Sequence, residues 1–353
     1  MLITSALRIS QEYCAFMKRL SGTQYNVHMA ASYWKSSQFQ QWLFVRQELM
    51  SVRLRDLQLC SITEDDYLKL MIFYSNFIQT IGEQMKVRQQ VIATAIVYFK
   101  RFYARYSLKS IDPILLAPTC LFLASKVEEF STLSNNRIMG GVQTAFKKYY
   151  RLLATHQQQG IGQNQSQQQQ LGDYPYQSKH ILECEFYLLE IMDCCLIVYH
   201  PYRSLDMYSK ELQLDDIIFQ TTWRMINDTL KTDVCLLYPP YIITLACLFL
   251  SCHYCKKLDL CKQYLVDQGN NIDLEQLYDV IKHLLKLYEL LKSYDETVDG
   301  KQLKDLLDKI PKPKLPSTSR PSSQPNEQQL QMVMQQGGQS QQQANSNHTN
   351  SNI

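Results

Sequence analysis

An internal duplication is the feature that most constrains this chain. The stretch Cys120-Leu-Phe-Leu-Ala-Ser125 returns 127 residues later as Cys247-Leu-Phe-Leu-Ser-Cys252, and Pro113 and Pro240 are separated by the same offset. This offset is far longer than the period of about 20 to 50 residues found in solenoid proteins. The duplication therefore predicts two domains of similar helical fold, not a repeat array.

Composition agrees with two domains and excludes several classes of function. The chain has 353 residues, 45% of them hydrophobic, which suffices for two cores and additional tails. A net charge of +3 from 36 basic and 33 acidic residues predicts no direct nucleic-acid contact. The eleven cysteines lie mostly in apolar helical runs, so we expect reduced thiols and no disulfide framework. The longest apolar run, Tyr241 to Cys252, is shorter than the roughly 20 residues that span a bilayer, so we expect a soluble intracellular protein with no membrane contact.

Capping signals place the helices of the first domain. Thr63, followed by three acidic residues, predicts a helix start, and we expect this helix to end near Ile81 because Gly82 follows. The pair Asp112-Pro113 predicts the start of a later helix that ends near Lys126. The second domain is expected to begin near residue 200 and to reuse this plan, and no strand pattern is found.

The segments outside the two domains have different characters. Aromatic and apolar residues recur at helical spacing over Ser36 to Met50, which predicts one short amphipathic helix ahead of the first domain. The first 28 residues fit either an extension, an upstream start codon or a mitochondrial transit peptide. The glutamine-rich stretch at 157–172 is expected to be a disordered insertion in a loop, and the Pro/Gln/Ser/Asn-rich residues 310–353 a disordered tail.

No catalytic or metal site is expected. Cys252-His-Tyr-Cys255 resembles half of a zinc site, but a structural zinc site takes four ligands. Phosphate-binding glycine loops and nucleophile elbows are not found in the sequence. We therefore expect a protein that is not an enzyme and needs no cofactor.

Two charged residues interrupt apolar helical patterns. Lys126 directly follows the duplicated stretch, and Glu185 stands between Cys184 and Phe186 on another predicted helix. The simplest interpretation is a surface ion pair worth under about 1 kcal/mol. The alternative is that both charges bind another protein.

The motif around Lys126 resembles the signature of a known family. Leu123-Ala-Ser-Lys-Val-Glu-Glu129 is similar to the hallmark of the cyclin box, and Val97-Tyr-Phe-Lys-Arg-Phe102 resembles the helix that precedes it. The resemblance implies an all-α fold of two tandem five-helix cyclin-box domains with an N-terminal helix and a disordered C-terminal tail. The expected boundaries are 1–28 for the extension, 29–55 for the N-terminal helical segment, 56–199 for box 1 and 200–295 for box 2.

The resemblance is strongest to the branch of the family that serves the Mediator complex. Tyr33-Trp-Lys-Ser-Ser37 and Cys235-Leu-Leu-Tyr-Pro-Pro240 look like that branch. Leu70-Met-Ile-Phe-Tyr74 lacks the arginine of the substrate-docking patch of cell-cycle cyclins, and Lys100 replaces a frequent aspartate. The implied kinase-binding residues are Trp34, Trp42, Lys126, Glu129 and Glu185.

A second partner site is also implied by the resemblance. Trp223, Asn227 and Asp228 are spaced about one turn apart on one predicted helix, and Tyr288 is expected to face them. Such residues suit a groove for another subunit of the Mediator kinase module. The alternative is that Trp223 is an ordinary core residue.

These features predict a nuclear regulatory subunit. We expect it to bind and activate a Mediator-type cyclin-dependent kinase and so to regulate transcription by RNA polymerase II. Two alternatives are a general transcription factor of the same fold that binds DNA and an elongation-type cyclin for another kinase. The first alternative predicts a zinc ribbon and a basic face, and neither is found in the sequence.

Overall fold

A computed structural model describes residues 33–130, 133–155, 173–268, 272–294 and 300–310. The predicted extension at 1–28, the insertion at 157–172 and the tail beyond residue 310 lie outside these ranges. A 3-10 turn at Tyr33–Lys35 is followed by fourteen α-helices within the described ranges. In order they are α1 (Ser37–Gln41), α2 (Arg46–Cys60), α3 (Glu64–Gln84), α4 (Gln89–Arg105), α5 (Pro113–Val127), α6 (Asn135–Thr155), α7 (Ser178–Ile191), α8 (Pro201–Glu211), α9 (Asp216–Thr229), α10 (Val234–Leu237), α11 (Pro240–Tyr254), α12 (Leu258–Gln268), α13 (Leu274–Ser293) and α14 (Gly300–Lys309). The described residues contain no strand, so the all-α prediction is confirmed.

The first domain is built from α3 to α7 around a central α4. Every residue of α4 from Val91 to Ala104 is buried, because α2, α3, α5 and α10 pack around it. The predicted caps are present. Thr63 Oγ1 accepts a hydrogen bond from the Asp66 amide at 3.1 Å, and Asp112 accepts one from the Ile114 amide at 2.9 Å.

The prediction that Gly82 ends the first helix of this domain is wrong. Helix α3 continues to Gln84, and a Cβ atom at Gly82 would lie 2.5 Å from Cγ1 of Ile92 in α4. The glycine is therefore needed for the close approach of two helices and not for a helix stop.

The prediction of one continuous helix over Ser36–Met50 is also wrong. The chain leaves the helical conformation over residues 42–45, between α1 and α2. There the amide of Phe44 donates a hydrogen bond to the carbonyl of Leu236 at 2.8 Å. A continuous helix would use this amide internally, so the contact with α10 takes the place of a helical hydrogen bond.

The second domain repeats the plan around α11. Residues Ile242 to Leu248 of α11 are all buried, and α8, α9, α12 and α13 pack against this helix. Asp215 caps α9 through the Ile218 amide at 2.8 Å, and Asp273 caps α13 through the Gln276 amide at 3.1 Å. The duplicated apolar stretches thus form the equivalent helices α5 and α11 of the two domains.

Helices α6, α12 and α14 were not foreseen from the sequence. Helix α14 lies between the predicted end of box 2 and the predicted tail, yet it packs on α3 and α6 of the first domain. Its side chains Leu303 and Leu306, with Ile310 beyond it, are buried in the core of that domain. The chain therefore returns to the first domain after completing the second.

Candidate functional site

The two charges singled out from the sequence form a direct ion pair. Lys126 is in the last turn of α5 and Glu185 is in the middle of α7. Nζ of Lys126 lies 2.7 Å from Oε1 and 2.8 Å from Oε2 of Glu185. The same ammonium lies 3.9 Å from the ring centroid of Phe122, where a cation is attracted to the aromatic face. The packing of α5 on α7 brings the pair together.

This ion pair keeps hydrogen-bonding capacity for another chain. The side chain of Lys126 is 42% exposed, and that of Glu185 is 8% exposed. An ammonium group has three donors and a carboxylate has several acceptor positions, so the pair leaves one donor and further acceptor positions unused. The arrangement can therefore bind backbone carbonyl and amide groups of a partner through charge-assisted hydrogen bonds.

Exposed aromatic residues adjoin the charges. Phe186 is 71% exposed and Tyr187 is 36% exposed. On α7 the core-facing positions are Ile181, Cys184 and Leu188, so the two aromatic residues point away from the core. Sequence reasoning did not select Phe186, although an apolar residue out of phase with the buried positions was a usable signal. The face consisting of Lys126, Glu185 and Phe186 is hereafter called the α5/α7 face.

Glu129 and its neighbour Glu128 have different roles. Glu129 is exposed and has a left-handed backbone with φ of 48°. Oε1 of Glu128 accepts a hydrogen bond from Thr94 Oγ1 at 2.5 Å, and its Oε2 accepts one from Gln90 Nε2 at 2.7 Å. Thr94 Oγ1 also lies 2.6 Å from His200 Nε2. Because the threonine donates its only proton to Glu128, it accepts from His200, which fixes the neutral tautomer protonated at Nε2.

Burial shifts the pKa values of the two titratable groups in this hydrogen-bonded chain, His200 and Glu128. Desolvation, aided by the charge of Arg101, lowers the pKa of His200 to about 3. Desolvation also raises the pKa of Glu128 above its ordinary value, although the hydrogen bonds from Thr94 and Gln90 oppose the shift. Thr94 thus links the end of α5 to His200, which is the N-cap residue of α8 and is neutral near pH 7.

The expectation that Trp42 faces a partner is wrong. Its side chain is 1% exposed, and the guanidinium groups of Arg105 and Arg101 lie 3.6 Å and 5.1 Å from the ring centroid. Trp34 is half-buried, with its ring centroid 5.8 Å from that of Tyr241 in the second domain. Of the two tryptophans, only Trp34 keeps surface that another chain can reach.

Hydrogen bonds and ring contacts link the residues of the predicted second site in two groups. Tyr288 Oη donates to Asp228 Oδ2 at 3.2 Å, and Tyr202 Oη donates to Asn227 Oδ1 at 2.8 Å. The ring centroid of Tyr202 lies 4.4 Å from that of Trp223. All of these residues are half-buried, so Trp223 is not a fully buried core residue. Tyr202 was not predicted, because it lies at the start of α8, whereas the other residues of the site lie on α9 and α13.

The residues described by the structure show no metal centre and no membrane span. Cys252 is buried and Cys255 is half-buried, and no group of three or more His, Cys, Asp or Glu side chains in the described ranges is placed to hold a metal ion. Within the same ranges, every helix is too short or too polar to cross a membrane.

Comparison with known families gives two matches that together span most of the chain. The model of the cyclin N-terminal domain matches residues 44–197, and the model of the cyclin C-terminal domain matches residues 200–289. Curated relatives named Cyclin-C are 48% identical in Drosophila pseudoobscura pseudoobscura, over 82% of this chain and 99% of the relative, and 46% identical in Rattus norvegicus, over 84% and 96%.

Solved structures share the fold at lower identity. A chain of the CAK complex from Chaetomium thermophilum bound to ATP-gamma-S is 21% identical, with a TM-score of 0.58 over 80% of this chain and 89% of that one. A chain of the yeast TFIIK complex is 25% identical, with a TM-score of 0.53 over 72% of this chain and 99% of that one.

Proposed function

The chain belongs to the cyclin family, and on this premise we propose that it binds and activates a cyclin-dependent kinase of the Mediator kinase module. It would thereby regulate transcription by RNA polymerase II. The relatives named Cyclin-C support this proposal, because this chain covers 96% to 99% of their length at 46% to 48% identity. The sequence left two alternatives open, a DNA-binding general transcription factor and an elongation-type cyclin. No contact among the residues that the structure describes specifically favours either of them.

The observation that carries the proposal is the Lys126–Glu185 pair on the α5/α7 face. Its two charges are held at 2.7 Å and 2.8 Å on helices that pack directly together. The exposed ring of Phe186 supplies apolar contact area beside them. Apolar area gives affinity, whereas paired charges that bond to backbone groups fix the register of the partner.

Activation would work through the conformation of the bound kinase. A kinase is active when the lysine of its third strand pairs with the glutamate of its regulatory helix. A cyclin that binds this conformation more tightly than the inactive one shifts the population toward it. The α5/α7 face would make these differential contacts, with Trp34 and Glu129 as further contact residues, and no phosphoryl transfer would take place on this chain.

A second partner would occupy the residues around Trp223. This site offers a half-buried indole, an amide and a carboxylate, all held by tyrosine hydroxyl groups or rings. The combination suits a peptide segment of another subunit of the module. The indole would supply apolar contact area, and the amide and carboxylate would form hydrogen bonds that orient the peptide. Action on RNA polymerase II places the protein in the nucleus in this proposal.

Capture of the kinase by the full-length chain tests the proposal. The purified chain and the double variant Lys126→Ala/Glu185→Ala would be incubated with cell extract, and bound Mediator-type kinase and phosphorylation of a polymerase tail peptide would be measured. Lys147→Ala is a matched control, because Lys147 lies on a different helix, α6, is 41% exposed and pairs with Asp173 at 3.4 Å. We expect capture by the unmodified chain and the control, and loss in the double variant.

Other outcomes would contradict specific parts of the proposal. Capture that survives the double substitution would move the binding energy away from the α5/α7 face. Capture of only a different transcriptional kinase would favour the elongation-type alternative. Binding to promoter DNA without any kinase would favour the general transcription factor.

A further inference from the structure

Two buried thiols of the second domain are in direct contact. Cys252 lies near the end of α11 and Cys261 lies in α12, and their Sγ atoms are 3.0 Å apart. Both are free thiols, exposed by 0% and 4% respectively. A disulfide bond is about 2.05 Å long, so an approach of about 1 Å would join the two sulfur atoms. The two sulfur atoms are therefore close enough for a small movement to link the two helices covalently.

The first domain has no such pair at the equivalent place. The duplication aligns Cys252 with Ser125, which is also fully buried and donates a hydrogen bond to the carbonyl of Phe122 at 2.7 Å. A buried hydroxyl is thus sufficient for the packing of this helix. The thiol in the second domain adds chemistry that the fold itself does not require, and α12 places a second thiol against it.

The surroundings shift the pKa values of the two thiols in opposite directions. Cys261 donates a hydrogen bond to Cys252, and this bond, aided by the positive charge of Lys257, lowers the pKa of Cys252 below its ordinary value. The same hydrogen bond and burial raise the pKa of Cys261. The thiolate is the reactive form of cysteine, so this order of pKa favours Cys252 as the nucleophile and Cys261 as the resolving thiol.

We propose that Cys252 and Cys261 are a modification site, at which a peroxide forms a reversible disulfide between α11 and α12. The thiolate of Cys252 attacks one oxygen of hydrogen peroxide, the O–O bond breaks, and the departing hydroxide takes up a proton to become water. The resulting sulfenic acid is attacked by the sulfur of Cys261, which forms the S–S bond and releases a second water. In total, two thiols are oxidised and one peroxide is reduced. A dithiol reductant then reduces the disulfide and restores the two thiols.

Peptide mapping of the full-length chain tests the proposal. The reduced protein would be treated with increasing hydrogen peroxide, its remaining thiols blocked with iodoacetamide, and its peptides analysed by mass spectrometry without reduction. We expect a cross-linked peptide that joins Cys252 to Cys261 in most chains, at a dose that leaves Cys255 free. Dithiothreitol should remove the cross-link completely.

Matched variants separate this pair from its neighbours. Cys255→Ser should keep the cross-link, whereas Cys252→Ser and Cys261→Ser should each lose it. Serine at position 252 is compatible with the fold because Ser125 occupies the equivalent place, and circular dichroism would verify helicity. If a variant misfolds, the peptide map of the unmodified chain still shows whether Cys252 and Cys261 are cross-linked. A cross-link between Cys252 and Cys255, a sulfonic acid without a cross-link, or two free thiols at a dose that oxidises the exposed Cys194 would each overturn the proposal.

Discussion

Arg53 donates a hydrogen bond of 2.7 Å to Asp233 and so joins α2 to the second domain across 180 positions of sequence. Lys100 of α4, which is 2% exposed, lies 3.8 Å from the other oxygen of the same carboxylate. Burial alone would raise the pKa of Asp233, but the charges of Arg53 and Lys100 hold it below its ordinary value. One carboxylate thus pairs with two buried cations at the junction of the domains.

Replacing this carboxylate should destabilise the protein strongly. Asp233→Asn would leave two buried cations unpaired, and we expect a loss of about 3 to 5 kcal/mol in the free energy of unfolding, measured by urea denaturation. Asp206→Asn is the control, because its pair with Lys210 is exposed, and a change below about 1 kcal/mol is expected. Equal effects of the two substitutions would contradict the role assigned to Asp233.

Stability should fall with acid through His200. Its folded pKa of about 3 lies below the ordinary value of 6.5, so between these values the unfolded chain binds a proton that the folded chain does not. Stability is then complete above pH 6.5 and falls by up to about 1.4 kcal/mol per pH unit below it. His200→Asn should flatten this slope in urea denaturation at several pH values, and the exposed His253→Asn should leave it unchanged. An unaltered slope in His200→Asn would show that another group titrates.

Trp42 should contribute to stability and not to direct binding. Trp42→Ala removes a buried indole together with its contacts to Arg105 and Arg101, and we expect a loss of about 3 to 5 kcal/mol in the free energy of unfolding. Trp34→Ala, at a half-buried position, should cost less. Thermal and urea denaturation of both variants would measure this order. A stable Trp42→Ala protein with impaired kinase binding would restore the original expectation.

Phe186 should be a main contact for the kinase. Phe186→Ala should weaken kinase binding by about 2 kcal/mol or more, roughly 30-fold in Kd, because a central aromatic residue often dominates an interface. The stability of the free chain should be unchanged, since the ring is 71% exposed. Ile217→Ala, at a position 70% exposed on the second domain, is the matched control for affinity. Equal affinities of the two variants would contradict the α5/α7 face as the binding surface.

Tyr288 should orient Asp228 for the second partner. Tyr288→Phe removes the hydroxyl that donates to Asp228 at 3.2 Å, and a loss of about 0.5 to 1.5 kcal/mol in binding of another module subunit is expected. Tyr278→Phe removes a hydroxyl from an exposed position of the same helix and should have no effect. Binding of the purified subunit by calorimetry would compare them. A larger loss in Tyr278→Phe would place the binding surface elsewhere on α13.

The sequence predicted the fold well because the helix caps are local signals and the duplicated stretch indicates two similar domains. Thr63 and Asp112, the two predicted caps, bond to amides two or three residues further along the chain, so these contacts follow from neighbouring residues. The break over residues 42–45 and the continuation past Gly82 depend on contacts with other helices, namely with Leu236 and Ile92. No local pattern encodes those partners.

The candidate site was predictable in part for the same reason. Lys126 and Glu185 interrupt apolar patterns and were selected on that ground, and the packing of two helices brings them together. The sequence pattern around Trp42 is the same whether its ring faces solvent or two arginines, so the burial of this residue could not be predicted from the sequence. Tyr202 acquires its role through contacts with another helix of the second domain, and His200 acquires its role only when the two domains meet.

The return of α14 to the first domain has a mechanical consequence. Because Leu303, Leu306 and Ile310 are seated in the core of that domain, the second domain is tethered to it at both of its ends, through the Tyr199–His200 junction and through α14. Movement of the second domain about one of these connections is therefore restrained by the other. A subunit bound at the residues around Trp223 would therefore meet a second domain whose movement relative to the first is restrained at both ends.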